Sequence, residues 1–204
     1  MSIPVHSSEG NNLFPIFIKL EQFHVLVVGG GFVGAEKMTA ILNNSPETRL
    51  TIVSKKFIPA VKILAIAYHN VVLIERGFKS GDLKGADFVI AATNDKEVNR
   101  TVKLLAEKRR ILANVADTPD LCDFYLSSIV QKGDLKIAIS TNGKSPTVAK
   151  RVKETLNDTL PNELNEVLQN MTQIRNRIGG DFANKVKTLN KITGILAVEK
   201  GELD

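Results

Sequence analysis

The sequence has few of the side chains on which disulfides and metal sites depend. Its 204 residues include one cysteine, Cys122, and three histidines, so an internal disulfide is excluded and a reducing cytoplasm is expected. No CxxC, HExxH or paired-histidine spacing occurs, and this argues against a preformed metal site. No apolar run approaches the roughly 18 residues of a membrane span. Residues 1–12 lack the basic and apolar regions of a signal peptide, so we expect a flexible tail and no membrane contact.

Positive charge is concentrated in the last third of the chain. The net charge is +5, and the segment from Thr141 to Lys191 carries +4 of it, with nine basic and five acidic residues. Such a segment suits an anionic ligand, and a solvated helical face is the alternative. Neither basic tracts nor interleaved aromatic residues are present, so a nucleic-acid partner is not expected.

Apolar runs alternate with amphipathic segments in the pattern typical of parallel βαβ units. Helices are predicted over residues 33–43 and from a cap at Asn94 or Asp95 to about Lys108. Continuous apolar strands between helices require a sheet that is covered on both faces. The predicted class is therefore α/β, with a Rossmann-like doubly wound parallel sheet. Its strands are predicted at Val25–Val28, Arg49–Val53, Val71–Glu75, Asp87–Ala92 and Ile111–Val115.

The pattern changes after Pro119. Two strand-like runs, Phe124–Val130 and Leu135–Ser140, flank residues 131–134 and predict a hairpin. Its second face needs a covering surface, either in another copy of the chain or within the same chain. Ser145 is the predicted N-cap of a helix that has proline at its first position. Further helical segments are predicted over residues 150–157, 162–178 and 182–196.

The most specific motif is Gly29-x-Gly31-x-x-Gly34, which stands between an apolar strand and a helix. In that context the spacing is a dinucleotide fingerprint, because glycine allows a tight turn, a close approach of backbone to pyrophosphate, and close helix–strand packing. An acidic residue near the end of the second strand usually bonds the adenosine ribose, but Lys55 and Lys56 stand there instead. These lysines could favour the extra phosphate of NADP, meet the pyrophosphate, or be ordinary surface residues. The choice between NAD and NADP stays open.

Asp117 follows the fifth strand, at the rim where the nicotinamide end of a cofactor would lie. A carboxylate there could act as a general base or hold a divalent metal loosely, and the alternative is a turn residue. The histidines lie far apart in the sequence, so we interpret them as structural or solvated. Cys122 has no histidine near it, and we interpret it as buried or incidental.

Several motifs in the same order resemble the precorrin-2 dehydrogenase and sirohydrochlorin ferrochelatase family, which forms the amino-terminal module of siroheme synthase. The resemblance runs from about Asn12 to Leu160, with a looser helical match beyond. The residues that carry it are Leu13-Phe14-Pro15-Ile16-Phe17, Val27 to Lys37, Ala91 to Asp95, Asn99, Asn114 to Pro119, Phe124, Ser127-Ser128-Ile129 and Ile139 to Pro146.

The resemblance implies an NAD-dependent oxidation of precorrin-2 to sirohydrochlorin, followed in many members by Fe²⁺ insertion to give siroheme. It also implies a homodimer joined through the hairpin region, and it gives Asp117 the catalytic role in both steps. Asn114 and Ser145 are the predicted substrate contacts, and no protein ligand to a metal is predicted. The predicted cofactor contacts are Gly29, Gly30, Gly31, Phe32, Val33, Gly34, Lys55, Lys56, Thr93 and Asn94.

The predicted organisation has four parts. Residues 1–12 form a tail, 13–117 the NAD-binding Rossmann-like domain, 118–146 a small β region for dimerisation, and 147–204 a helical domain.

Two alternative functions are kept, a dehydrogenase without chelatase activity and a non-catalytic module that senses NAD(H). The eight carboxylates of precorrin-2 suit the basic helical segment.

Overall fold

A computed structural model of the protein describes residues 10–177 and 186–190. The chain divides into a first unit, residues 1–126, and a second unit, residues 127–204, and each is described by itself. The predicted domain boundaries after residues 12, 117 and 146 stay predictions.

The first unit contains a five-stranded parallel sheet in the order β3-β2-β1-β4-β5. This is the strand order of a Rossmann-type sheet, and it confirms the predicted fold class. The strands are β1 (His24–Val28), β2 (Arg49–Ser54), β3 (Val71–Glu75), β4 (Phe88–Ala91) and β5 (Leu112–Val115), and the helices are α1 (Phe32–Asn44), α2 (Pro59–Ala67) and α3 (Lys96–Lys108).

Two apolar cores lie on the two faces of this sheet, because successive side chains of a strand point in opposite directions. Val25 and Val27 of β1 pack with residues of α1 and α2, such as Met38 and Val61. Leu26 and Val28 pack in the other core, which includes Val102 of α3. The continuous apolar strands thus reflect burial on both faces, as expected.

Helix α2 was not among the predicted elements. It begins at Pro59, whose missing N–H is tolerated at a first helical position, and it provides the crossover between β2 and β3. Its sequence is apolar nearly throughout, so the period of an amphipathic helix is weak there, and this explains why the helix was missed.

The second unit contains an antiparallel hairpin of β6 (Ser128–Lys132) and β7 (Leu135–Ile139), with residues 133 and 134 as its loop. Helix α4 (Pro146–Thr159) begins at the predicted cap, because the Ser145 Oγ accepts a hydrogen bond from Val148 N at 3.2 Å. Helix α5 (Leu164–Arg177) follows. Helix α4 starts where the predicted cap and proline place it and includes the predicted segment 150–157, whereas the predicted helix over 182–196 lies mostly outside the described residues.

The first predicted strand of the hairpin was wrong in its amino-terminal half. Phe124 and Leu126 pack against the first core, and the Phe124 ring meets Phe88 edge-on with centroids 5.6 Å apart. Partial burial of these side chains in the first unit explains their apolar character, and β6 starts only at Ser128.

Among the described residues, no helix combines the length and the apolar character needed to cross a membrane.

Candidate functional site

In the glycine turn between β1 and α1 the backbone lies in close contact with the ends of β2 and β4. Gly29 has φ +126°, a conformation that L side chains rarely adopt, and its N–H donates to Val53 O at 2.9 Å. A Cβ on Gly29 would collide with the carbonyl of Ala92, and a Cβ on Gly34 would collide with the carbonyl of Gly29. These two glycines therefore serve the packing of α1 and β4 against the turn.

Gly31 is different, because a Cβ there would meet no atom within 4 Å. The residue lines an open cleft directly before the first turn of α1, where the leading N–H groups of a helix lack intrahelical acceptors. Such a bare turn leaves room for a pyrophosphate to approach the backbone. The residues present thus fit a dinucleotide.

The cleft lies at the carboxyl edge of the sheet, where the strand order reverses between β1 and β4, and this is where doubly wound folds bind ligands. Its volume is about 780 Å³. It is lined by Val28, Gly29, Gly30, Gly31, Val53, Ser54, Lys55, Lys56, Gly77, Phe78, Ala92, Thr93, Asn94, Asp95, Glu97, Val98 and Thr101.

The wall that follows β4 is held by a network of polar groups. Thr93 Oγ1 donates to Asn99 Oδ1 at 2.6 Å, and Asn99 Nδ2 donates back to Thr93 O at 2.9 Å. Asn99 is buried, and Asp95 caps α3 by accepting hydrogen bonds from the N–H groups of Glu97 and Val98. Asp95 is thus the cap, the second of the two residues predicted for that role.

The wall that follows β2 is fixed to the glycine turn. Ile58 N donates to Gly30 O at 3.0 Å, and Ser54 Oγ donates to Lys56 O at 2.8 Å. A Cβ on Gly30 would lie 2.7 Å from Lys56 O. Lys55 and Lys56 are exposed, and both belong to this wall.

Asp117 stands in the loop after β5 with φ +56°, and its side chain is exposed. Because the strands are parallel, this loop is at the same edge of the sheet as the glycine turn. Asp117 does not line the cleft itself. Asn114 is buried, and its Nδ2 donates to Phe124 O at 2.8 Å, so its amide is engaged within the fold.

Cys122 supports the loop that carries Asp117. Its Sγ accepts a hydrogen bond from Val115 N at 3.2 Å and lies 3.4 Å from Thr118 O. Burial raises the pKa of the Cys122 thiol, so the group is a poor nucleophile near neutral pH. Cys122 is thus partly buried, and its contacts are with the backbone of the loop.

Two of the histidines are described, and neither lies at the cleft. The His24 ring is 2.9 Å from Thr51 Oγ1 and 3.1 Å from Gly85 O, at the amino-terminal end of β1. His69 is exposed near Glu47. Within residues 10–177 and 186–190, no group of three or more histidine, cysteine, aspartate or glutamate side chains could hold a metal ion.

The cleft brings together most of the predicted cofactor contacts, namely Gly29, Gly30, Gly31, Lys55, Lys56, Thr93 and Asn94. Phe32, Val33 and Gly34 are outside its lining. Phe32 is 84% exposed at the start of α1, and Val33 packs against the first core. Ser145 belongs to the second unit, where it caps α4.

Sequence reasoning missed Gly77 and Phe78, which line the cleft after β3. The rule that ligands bind beyond the carboxyl ends of strands points to the loop after β3 as well as to the loops after β1, β2, β4 and β5. The third strand is only partly buried, so its apolar pattern is a weaker signal in the sequence than those of β1 and β4.

Two family models match the chain. One, described as putative NAD(P)-binding, matches residues 16–128, and the other, described as sirohaem biosynthesis protein central, matches residues 132–159. The chain is 35% identical over 176 residues to siroheme synthase from Vesicomyosocius okutanii subsp. Calyptogena okutanii, with 86% of this chain and 35% of that protein covered. It is 37% identical over 169 residues to siroheme synthase from Citrobacter koseri, with 83% and 36% covered. The chain thus spans about a third of the length of these curated relatives.

A solved structure described as SirC, precorrin-2 dehydrogenase, resembles the chain over nearly its full length. The TM-score is 0.72 at 25% sequence identity, and the match covers 91% of this chain and 94% of that one.

Proposed function

The chain belongs to the precorrin-2 dehydrogenase and sirohydrochlorin ferrochelatase family, and on that premise we propose that it oxidises precorrin-2 to sirohydrochlorin with NAD as the acceptor. The observation that carries the proposal is the bare glycine turn on a 780 Å³ cleft at the switch point of a Rossmann-type sheet. Similarity to a precorrin-2 dehydrogenase along nearly the whole chain supports the choice of substrate.

Gly30 and Gly31 would hold the pyrophosphate, and the loops after β2 and β4 would hold the adenosine and nicotinamide portions. When bound, the nicotinamide ring supplies a two-electron acceptor for a hydride. Precorrin-2 also gives up one proton, so the oxidation needs a base near the tetrapyrrole. Asp117 is the proposed base, because its carboxylate is exposed on a loop at the edge of the sheet that also bears the glycine turn.

A second step is proposed at the same carboxylate. Fe²⁺ is a substrate, and its insertion into sirohydrochlorin releases two pyrrole protons. The tetrapyrrole nitrogens hold the iron, so a cage of protein ligands is not needed. Asp117 would accept protons in this step too, which makes the protein bifunctional. Ser145 remains a proposed substrate contact. Asn114 was predicted as a second one, but it is buried and its Nδ2 donates to Phe124 O, so we propose no direct contact for it.

We also propose a homodimer formed through β6 and β7. A two-stranded hairpin is marginally stable alone and needs a covering surface. Helix α4 packs on β6, and a second copy would cover the rest of the hairpin. Light scattering after size-exclusion chromatography would give twice the chain mass; a monomer at micromolar concentration would contradict the dimer.

The proposed activity is tested with the Asp117→Ala variant. The purified protein is mixed with precorrin-2 and NAD, the absorbance change to sirohydrochlorin is followed, and Fe²⁺ or Co²⁺ is then added. Since a general base contributes roughly 10²–10⁴-fold, we expect dehydrogenation to slow by at least about 100-fold and chelation to be lost. NADH binding should stay within about twofold of wild type, because Asp117 does not line the cleft.

Asp120→Asn is the matched control, since Asp120 is an exposed carboxylate three positions further along the same loop. It should behave as wild type in both steps. Unchanged iron insertion in Asp117→Ala would refute the role of Asp117. Oxidation without chelation by the wild type would leave a dehydrogenase alone, and NADH binding without turnover would indicate a sensing module.

A further inference from the structure

The end of β2 lacks the acidic group that usually distinguishes NAD from NADP. In dinucleotide-binding folds an aspartate or glutamate about 20 residues beyond the glycines accepts a hydrogen bond from the ribose 2′-hydroxyl and repels a phosphate at that position. Ser54 is the last residue of β2, and Lys55 and Lys56 follow it. A neutral hydroxyl accepts the same hydrogen bond from a ribose but does not repel a phosphate.

The two lysines are held beside the cleft by their backbone. The hydrogen bonds from Ser54 Oγ to Lys56 O and from Ile58 N to Gly30 O fix the loop against the glycine turn. The Lys55 side chain extends toward the loop after β3, because its Cε would lie 3.6 Å from a Cβ on Gly77. Both lysines therefore belong to the wall that the adenosine end of a dinucleotide faces.

The other charged residues near this end of the cleft, Glu75, Arg76 and Asp82, do not line it. Arg76 binds Asp82 with both guanidinium nitrogens, Nη1 to Oδ2 at 2.8 Å and Nη2 to Oδ1. Glu75 is in register with Ser54 but does not line the cleft. Within residues 10–177 and 186–190, neither Lys55 nor Lys56 forms an ion pair.

The acidic residues of the cleft are on its other side. Asp95 and Glu97 follow β4, whereas the lysines follow β2, and β1 lies between these strands. Two strand spacings separate the groups by roughly 10 Å. A phosphate beside Lys55 would therefore meet the lysines first, and the carboxylates would act on it only across solvent.

We infer that the end of the cleft formed by Ser54, Lys55 and Lys56 accepts a 2′-phosphate, so that the protein binds NADP(H) at least as tightly as NAD(H). This inference rests on the proposed function, in which the cleft holds a nicotinamide dinucleotide. The 2′-phosphate carries a charge of about −1.5 to −2, and a lysine ammonium binds such a group as a mobile point charge. The Ser54 hydroxyl oxygen serves the ribose of NAD(H) in the same place.

The test is calorimetric titration of the purified full chain with NADH, NADPH and 2′,5′-ADP, with 5′-AMP as the probe that lacks the 2′-phosphate. Lys55→Gln and Lys56→Gln should each raise the Kd of NADPH and of 2′,5′-ADP by about 3- to 10-fold. The Kd of NADH should change by less than about twofold. Lys62→Gln is the matched control, because Lys62 is exposed on α2 and outside the cleft. It makes the same change of charge and should leave all four ligands unaffected.

Ser54→Asp tests the inference in the opposite direction. The new carboxylate should raise the Kd of NADPH by at least about 10-fold, because it repels the 2′-phosphate. NADH binding should be kept, because the carboxylate accepts a hydrogen bond from the ribose 2′-hydroxyl. The Kd of NADPH should also rise more steeply with salt than that of NADH.

The outcomes separate the two proposals. If NADH binds and NADPH is weaker by 10-fold or more in the wild type, the inference is overturned while the proposed cofactor site stands. Equal losses for NADH and NADPH in the lysine variants would also overturn it, because the lysines would then serve the pyrophosphate. If neither nucleotide binds, the proposed function itself fails.

Discussion

The glycines of the turn between β1 and α1 are constrained for different reasons, which the space around each Cα shows. Gly29 and Gly34 cannot carry a Cβ without a collision between backbone segments, whereas Gly31 could carry one in the absence of any ligand. The first two positions are therefore constrained by folding. The third is constrained only if the cleft is filled, which makes it a probe of the ligand.

We predict that Gly31→Ala folds normally and binds NADH on the order of 10-fold more weakly, because the new methyl group takes the space needed by the pyrophosphate. Gly29→Ala should instead lower the free energy of unfolding by about 1–3 kcal/mol through backbone strain alone, since φ is +126°. The collision of the methyl group with the Ala92 carbonyl should add to this loss. Urea denaturation measures stability, and fluorescence titration with NADH measures binding. Normal NADH affinity in a folded Gly31→Ala protein would contradict the proposed approach of the pyrophosphate.

At the scale of the element, both α3 and α4 begin with a side-chain cap that local sequence specifies. Asp95 precedes α3, and Ser145 precedes α4 with Pro146 at the first helical position. The Ser145 backbone also takes part in a local turn, because its N–H donates to Thr141 Oγ1 at 3.2 Å. Ser145 therefore has a demonstrated role in starting a helix and a proposed role as a substrate contact.

The two roles of Ser145 predict different responses to substitution. Ser145→Ala removes the cap and should lower the free energy of unfolding by about 1 kcal/mol, whereas Ser145→Asp keeps an acceptor for Val148 N and should restore it. If Ser145 also faces the tetrapyrrole, the aspartate should raise KM for precorrin-2, since the substrate is rich in carboxylates. Chemical denaturation and steady-state kinetics are measured on the same preparations. A KM for Ser145→Asp equal to that of wild type would remove Ser145 from the substrate side.

For the molecule as a whole, acid stability reflects an ion pair at the base of the loop after β3. The Asp82 side chain is 8% exposed, and its carboxylate accepts hydrogen bonds from Nη1 and Nη2 of Arg76 and, at 2.8 Å, from Lys79 N. The hydrogen bond with Arg76 lowers the pKa of the Asp82 carboxyl below its usual value. The unfolded chain thus binds more protons at this site in acid than the folded chain does.

The sign of the pH dependence follows from that shift. The stabilisation by Asp82 is complete above its unfolded pKa of about 3.9 and is lost as pH falls through the lower pKa of the folded state. We predict that Asp82→Asn lowers Tm by a few degrees at pH 7 and that the difference in Tm between variant and wild type becomes smaller toward pH 2. Thermal unfolding followed by circular dichroism tests this, with Asp120→Asn as an exposed control. An undiminished gap at pH 2 would show that the asparagine acts through packing and not through charge.

Much of the architecture could be predicted because its signals are local. Apolar strands bounded by turns, the glycine spacing after β1, and the caps Asp95 and Ser145 each depend on residues within a few positions of one another. Helix α2 escaped prediction because a nearly all-apolar segment has little periodicity. The apolar run from Phe124 was read as a strand, since sequence alone does not say which core an apolar side chain joins.

The sequence by itself determined the parallel sheet, the position of the dinucleotide turn, and the presence of lysines in place of a carboxylate after β2. Only the tertiary structure decided that Gly77 and Phe78 line the same cleft, that Asn114 is committed to Phe124, and that Gly31 faces open space while Gly29 and Gly34 do not. Periodicity and turn chemistry are properties of neighbouring residues. Which distant loops meet at one edge is set by strand order, and strand order is fixed when the two cores pack.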